Sequence, residues 1–441
     1  MKGKIDGRDV LHIIAGFVAI FLEYLTRIEA VLAAVGIFAC IYLLMIPSRS
    51  KFFNLVARSE DWKRGYAQGL FFYGLAIIFL VIFAPLYIAA VCIVVMSFGD
   101  GFATVVGKRY GKTHLSWAKK EKTLEGAIGF LAFATISSFL ILKFMLTAST
   151  SRLFVYAIIT SFIAALVEML DITVDDNLAV PISSAVVLYI LTLISVERLA
   201  SLNPYLALQF LGICLILGPL TLKFGALDKK GSLAAFVLGL VTYLSVGFRG
   251  FIILLTLHVI GAATTRIGIK SKLKRNIAQE KIRSVDNILA NGLVSTIGAF
   301  LYFAARSNNA LFYIGFVGAI AAATADTTSS EIGQLSTKRP RLITTWKEVE
   351  TGTDGAVSRL GNLSAVGVSI VVALIALIFI MPGIKALPLF ISTVIVGFVG
   401  TTVDSYLGAT LEQEAIIGNN TVNLLATACS FLGAMVIYSA L

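Results

Sequence analysis

The strongest constraint in this sequence is a succession of apolar runs, each about 15 to 24 residues long, separated by short polar joints. They cover residues 10–25, 29–46, 68–84, 86–104, 124–147, 153–171, 180–200, 204–222, 232–247, 250–264, 286–304, 310–325, 362–381, 386–403 and 421–441. Crossing a bilayer core takes about 20 helical residues, and a soluble chain this apolar would expose more greasy surface than water tolerates. Of the 441 residues, 58% are hydrophobic and only 14% charged, and the mean hydropathy is +0.91. No alternation over about ten residues, the mark of barrel strands, is visible. Backbone inside lipid must satisfy its own hydrogen bonds, which a helix does within one segment. The chain is therefore expected to be all-α, a polytopic integral membrane protein with about 13 to 15 transmembrane helices in two helical-bundle domains.

The formal net charge of +11 could point to nucleic acid. The cations, however, sit in short loops between apolar runs, so the expected partner is the membrane surface and no nucleic acid. Six basic clusters carry this signal: Lys2 to Arg8, Arg49 to Arg64, Lys108 to Lys122, Lys223 to Lys230, Arg266 to Arg283, and Lys338 to Lys347. An even number of crossings separates each from the next, so all six fall on one face, which the positive-inside rule makes cytoplasmic. An integral protein of the cell membrane with its sites on the cytoplasmic face is the expectation. The N-terminus shows no small-residue cleavage site and does not read as a signal peptide. Cys40, Cys92, Cys214 and Cys429 lie singly in apolar runs, which suits packing rather than metal binding.

Two halves are expected, 1–202 and 203–441, joined near Ser201–Asn203 and without a residue-level repeat. In the first, Gly99-Asp100-Gly101 is placed where a helix meets the cytoplasmic interface, and an aspartate near a membrane span usually marks a site. Ala103, Gly107 and Gly111 would allow close backbone approach, while Lys108, Arg109, Lys112 and Lys122 could hold phosphate oxygens. Glu125, Glu168 and Asp175-Asp176-Asn177 add acids and an amide on the same face. Mg²⁺ binds through one or two carboxylates plus substrate phosphates, so this set suits a nucleotide and its metal in phosphoryl transfer. No GxxxxGK[ST] loop or protein-kinase catalytic loop is present in the sequence.

The second half has its own constellation. Asp326 and Glu331 flank four hydroxyls that end at Ser330, the basic stretch Lys338-Arg339-Pro340-Arg341 follows, and Gly352-Thr353-Asp354-Gly355, Asp404, Asn419-Asn420 and Asn423 complete it. Metal ligands, hydrogen-bond donors and cations are again combined.

The blocks GDGFATVVGKRYGK, KTLEG and VEMLDITVDDNLAVP, in that order, resemble the phytol kinase and dolichol kinase family of CTP-dependent polyprenol kinases. His12 and Gly16 fit that family's early Arg-Lys-x-x-His-x-x-x-Gly pattern, with Asp9 where lysine is usual. In the second half ADTTSSEIG, KRPRLIT, GTDG, VDSYLGATLE and NNTVN resemble a membrane family long labelled a domain of unknown function, which includes the plant phytyl-phosphate kinases. The resemblances imply a bifunctional lipid kinase acting on a polyprenol and then on the polyprenyl phosphate, with a nucleoside triphosphate, CTP, as donor. Asp100, Glu125 and Asp176 would organise metal and nucleotide in the first site, and Asp326, Glu331 and Asp404 in the second. The metal ligands among them would be Asp100, Asp176, Asp326 and Asp404. Phosphate or nucleotide contacts would come from Gly99, Gly107, Lys108, Arg109, Lys112, Lys122 and Asn177, and from Ser330, Lys338, Arg339, Arg341 and Asn420. The alternatives are a cytidylyltransferase-like enzyme making a CDP-lipid and a transporter or flippase. A transporter would place its polar groups near the bilayer midplane, whereas here they gather at one face.

Overall fold

The computed structural model describes residues 12–44, 53, 61–62, 67–114, 118–119, 122–170, 175–223, 227–269, 272, 284–307, 309–414 and 416–441. Most of the first two basic clusters, and of the Arg266–Arg283 stretch, lies outside the described residues. Among the described residues, ten helices are long and apolar enough to cross a membrane, and shorter apolar helices accompany them. The chain is an all-α polytopic membrane protein, and its only paired strands among the described residues form one two-stranded hairpin.

It divides into two compact units, Met1–Thr192 and Leu193–Leu441. The division falls before Ser201–Asn203 because the residues after Thr192 bond into the second unit. Ser195 N–H donates to the Ala304 carbonyl at 2.8 Å and Arg306 N–H to that of Leu193 at 3.0 Å.

The first unit contains α1 (His12–Glu23), α2 (Arg27–Leu44), α3 (Gln68–Phe83), α4 (Leu86–Tyr110), α5 (Leu124–Met145), α6 (Thr150–Met169) and α7 (Asp176–Leu193). Its core runs along α4, where every residue from Ile88 to Ser97 is buried. Helix α4 passes straight through Asp100, with a wide π-type turn over Val95–Asp100. Asp100 lies inside the helix, as the apolar run 86–104 places it: nothing at Gly99 or Gly101 breaks the hydrogen-bonded spiral, which continues beyond that run to Tyr110. Wide turns of this kind cluster at functional positions.

The second unit contains α8 (Val196–Ala200), α9 (Tyr205–Lys223), α10 (Lys229–Arg266), α11 (Val285–Ala304), α12 (Asn309–Gly333), the hairpin β1 (Arg341–Leu342) and β2 (Ala356–Val357), α13 (Arg359–Ile378), α14 (Ala386–Glu412) and α15 (Asn419–Ala440). Helix α12 is its axis. It is buried continuously from Phe312 to Ala325 and packs on α10, α11, α13, α14 and α15. Small residues make this possible, since a Cβ added at Gly400 would sit 2.6 Å from Ala322 Cβ, and one at Gly318 the same distance from Ala434 Cβ. Such close approach gives membrane helices their van der Waals contact.

Helix α10 is interrupted at Gly247, whose φ of 69° and ψ of −162° only glycine adopts easily. Tyr243 and Phe251 would stand about 12 Å apart along a continuous helix, yet their ring centroids are 6.0 Å apart and both pack on Phe210. The chain therefore folds back there, and residues 232–247 and 250–264 are the two arms read from the sequence.

Several polar residues in front of apolar runs act as helix caps. Thr123 accepts from Gly126 N–H at 3.2 Å and Ser358 from Gly361 N–H at 3.0 Å, and Asp228 does the same for Gly231.

Candidate functional sites

In the first unit the loop between α4 and α5 is tied to the end of α6. Lys119 N–H donates to the Met169 carbonyl at 3.1 Å, and Lys122 N–H to the Lys119 carbonyl at 3.0 Å. That anchorage carries two lysines over three carboxylates that belong to different helices. Lys122 Nζ donates to Glu168 of α6 and lies 3.6 Å from Asp100 of α4. Lys119 Nζ donates to Asp176 at the start of α7, at 2.5 Å. Glu168 is almost wholly buried, at 2% exposure, so the lysine is what makes its charge tolerable there. Burial disfavours the Lys122 ammonium, but Asp100, Glu168 and Asp176 outweigh it and hold its pKa above the ordinary lysine range.

His12 of α1 completes this end of the unit. Its Nε2 is 3.1 Å from the Met96 carbonyl, inside the wide turn of α4, and 3.6 Å from Asp100 Oδ2. Asn177 is held by Asp175, which accepts from its backbone and side-chain nitrogens at 3.0 and 2.8 Å. His12, Asp100, Lys122 and Asn177 line a cavity of about 690 Å³ together with Asp61, Thr104 and mostly apolar side chains of α1, α2, α3 and α4.

Other expected contacts are arranged differently. Glu125 does not face the cluster. It accepts from the backbone N–H groups of Lys112 and Thr113 at 3.1 and 3.2 Å and from the Thr113 hydroxyl at 3.0 Å, closing the loop between α4 and α5. The small residues of α4, read from the sequence as room for phosphate, are filled by α5. A Cβ at Gly99 would meet Phe130 at 3.0 Å, and one at Gly107 would meet Thr123 Oγ1 at 3.4 Å. Lys108 and Arg109 stand in the last turn of α4, where cations suit the helix C-terminus. Arg109 lies over the Tyr110 ring, 5.4 Å from its centroid, and the Lys112 side chain is exposed.

In the second unit Asp326 of α12 and Asp404 of α14 bring their carboxyl groups together, and Glu412 and Asp354 add negative charge around Asp404. Among the described residues, Asp404 Oδ2, Thr328 Oγ1 and Asn423 Oδ1 are buried without a hydrogen-bond partner. A second wide turn, Gly408–Glu412, follows Asp404. The hairpin is clamped against it: Gln413 Nε2 donates to the Asp354 carbonyl at 2.8 Å, and a Cβ at Gly355 (φ 75°) would come within 2.4 Å of Ala409 Cβ.

Glu331 is withdrawn from this pair. It is bound by Lys272, which is 1% exposed. Sequence reading missed that lysine because, among a run of cations, nothing distinguishes a buried one. Lys338, Arg339 and Arg341 are exposed on the hairpin side, with Arg341 3.7 Å from Glu348, and Ser330 and Asn420 are exposed as well.

The two clusters differ in their fit to a divalent cation. Among the described residues no group of three or more His, Cys, Asp and Glu could hold a metal alone. Mg²⁺ takes one or two carboxylates plus phosphate oxygens and waters. Two facing carboxyls with an unpartnered buried oxygen, Asp326 and Asp404, match that donor set. In the first unit Asp100 and Asp176 each face a lysine already.

Helical spans, wide turns and one-ended polar clusters define a polytopic membrane protein with ionisable sites. Residues 212–431 match the family described as integral membrane protein DUF92. The chain is 36% identical over 236 residues to the uncharacterized membrane protein MJ0933 of Methanocaldococcus jannaschii, covering 54% of this chain and 95% of that one. It belongs to this membrane family. It is also 34% identical over 143 residues to the Arabidopsis thaliana protein VTE6, chloroplastic, covering 31% of this chain and 43% of the relative. A probable phytol kinase, chloroplastic, of Triticum aestivum is 31% identical over 123 residues, 26% of this chain and 41% of the relative. No solved structure matches the chain.

Proposed function

We propose that the chain is a membrane prenyl-lipid kinase that works in two steps. The first unit phosphorylates a polyprenol to its monophosphate, and the second converts the monophosphate to the diphosphate. A nucleoside triphosphate, CTP in our reading, is the donor. One observation carries this: the first unit holds a largely apolar cavity of about 690 Å³ lined also by His12, Asp100, Lys122 and Asn177. A long hydrocarbon with one polar end is the ligand such a cavity suits. The resemblance to proteins named probable phytol kinase supports the same reading.

In the first step the prenol oxygen attacks the terminal phosphorus, the bond to the bridging oxygen breaks, the nucleoside diphosphate leaves and the alcohol proton is released. Lys122 and Lys119 would bind the phosphates, whose negative charge competes with Asp100, Glu168 and Asp176 for them. Each lysine that turns to a phosphate frees a carboxylate, and Asp100 and Asp176 would then hold the metal. In the second unit Asp326 and Asp404 would hold it, while Lys338, Arg339 and Arg341 would draw the phosphates to the cytoplasmic face. A bound Mg²⁺ neutralises the charge that develops on the transferred phosphoryl group.

The test is the purified full chain in lipid vesicles with CTP or ATP and a panel of prenols and prenyl phosphates. Label from the γ position appearing in the lipid is the expected result. Label from the α position in the lipid would make the protein a CDP-lipid synthase. Movement of lipid across the vesicle without nucleotide turnover would make it a transporter.

A further inference from the structure

The acid pair of the second unit has a neighbour that the two-step reading leaves unused, Asn423 of α15. It is 8% exposed, and its Oδ1 is buried without a hydrogen-bond partner, as is Oδ2 of Asp404. Buried polar oxygens in that state are uncommon, and a water or an ion is the usual partner. Helix register brings the two residues together. A Cβ at Gly318 of α12 would meet Val396 of α14 at 3.1 Å and Ala434 of α15 at 2.6 Å. One turn further, a Cβ at Gly400 of α14 would lie 2.6 Å from Ala322 and 2.5 Å from Ser430. Helices α12 and α14 therefore run parallel, and α15 runs antiparallel to both. The next turn, about 6 Å on, takes Ala322 to Asp326 and Gly400 to Asp404. Two turns back from Ser430, about 10 Å, the same face of α15 carries Asn423. One turn beyond that, Asn419 bonds Glu412, whose charge acts on the pair. Asn423 thus stands between the acid pair and Glu412, on the face of α15 that packs against α12 and α14.

We infer that Asp326, Asp404 and Asn423 form a resident site for a divalent cation, filled before any substrate phosphate arrives. The donors decide the class of ion: carboxylate and amide oxygens from three helices suit a hard cation such as Mg²⁺. Charge decides the valence. Two carboxyl groups face each other, Glu412 and Asp354 lie near them, and neither acid of the pair is in an ion pair among the described residues. A monovalent ion would leave much of that charge unbalanced. The amide is neutral, so it adds a ligand without adding repulsion between acids. This deepens the two-step kinase reading, on which the use of the cation in phosphoryl transfer rests. In the first unit Asp100 and Asp176 each face a lysine, so protein free of nucleotide should take up one ion rather than two.

Mn²⁺ alone, titrated into the full chain in phosphatidylcholine vesicles without nucleotide, tests the site through the loss of its free paramagnetic resonance signal. Wild type is expected to bind one Mn²⁺ that Mg²⁺ displaces and Na⁺ at equal ionic strength does not. Asp404→Asn is expected to abolish that binding, and Asn423→Leu to weaken it at least tenfold. Asn423→Asp, which keeps an oxygen in place and adds charge, is expected to tighten it at least threefold. Unchanged affinity in Asn423→Asp, or in an Asn423→Leu protein that melts at the wild-type temperature, overturns Asn423 as a ligand. Displacement by Na⁺ as effective as that by Mg²⁺ overturns the divalent site. Phosphate transfer by a protein that takes up Mn²⁺ only with nucleotide overturns the resident ion and leaves the kinase reading standing. If Mn²⁺ binds as expected but no phosphate reaches any prenyl lipid, the site stands and the kinase reading is what falls.

Discussion

The two units solve the same problem, how to keep acids at the end of a membrane bundle, in opposite ways. In the first, lysines from one anchored loop neutralise Asp100, Glu168 and Asp176. In the second, Asp326 and Asp404 meet each other, and Glu412 and Asp354 add further negative charge around Asp404. Among the described residues neither acid of this pair is in an ion pair, and a buried carboxylate pair is electrostatically unfavourable; in the proposal above this is where an external cation would bind. The first unit carries its own and would exchange it for the charges of a substrate. Both use a helix that widens for one turn near the key aspartate, Val95–Asp100 before the end of α4 and Gly408–Glu412 after Asp404.

If the contrast is right, the largest effect comes from Asp404→Asn or Asp326→Asn. Either should lower conversion of monophosphate to diphosphate by about 10³-fold or more, a loss typical of removing a charge that organises phosphoryl transfer. Alcohol phosphorylation, assayed in the same vesicles, should stay within threefold. Chelation of divalent cations should stop the second reaction outright, and failure of added Mg²⁺ to restore it would contradict the unit's need for an external cation. Next, Asp100→Asn should lower alcohol phosphorylation by about 100-fold while leaving monophosphate conversion intact. Loss of both reactions in a folded protein would erase the distinction between the units.

A smaller effect is thermodynamic. Lys122→Met leaves Glu168 buried without its cation and should destabilise the first unit by about 3 kcal/mol, read as a lowered melting temperature in detergent. Its pH dependence sharpens the point. The Lys122 pKa is raised in the folded protein, so its contribution is complete below the unfolded lysine value of about 10.4. It disappears only as the pH rises through the folded value. The stability difference between wild type and Lys122→Met should therefore be no smaller at pH 9 than at pH 7, since the buried Glu168 of the variant becomes costlier as it ionises. A difference that has collapsed by pH 9 would mean that the carboxylates do not hold the ammonium.

Much of this was legible in the sequence, for identifiable reasons. Span length and apolarity fix helices because lipid leaves the backbone no other partner. Gly247 separates two apolar runs, and the chain does turn there. Asp100, Asp176 and Lys122 stood out as ionisable residues beside spans, and Asp326 and Asp404 did so in the other half. What misled was local context: Gly99 was expected to contact phosphate, yet it lies against Phe130, as Gly101 lies against Ile13. Glu125 looked like a ligand because it is acidic and close in sequence, but three donors of its own loop occupy it. Lys272 could not be singled out, because its burial depends on Glu331, 59 positions away.

The sequence by itself determined the class of protein and the residue types at each polar end. These follow from short-range quantities: hydropathy over one helix length, charge in the joints and the order of motifs. Only the tertiary structure decided which acid meets which cation, that Asp100, Glu168 and Asp176 are paired with lysines while Asp326 and Asp404 face each other, and that a largely apolar cavity adjoins His12 and Asp100. Pairing is set by helices that pack side by side from distant parts of the chain. No local pattern encodes the distance between Lys122 and Glu168.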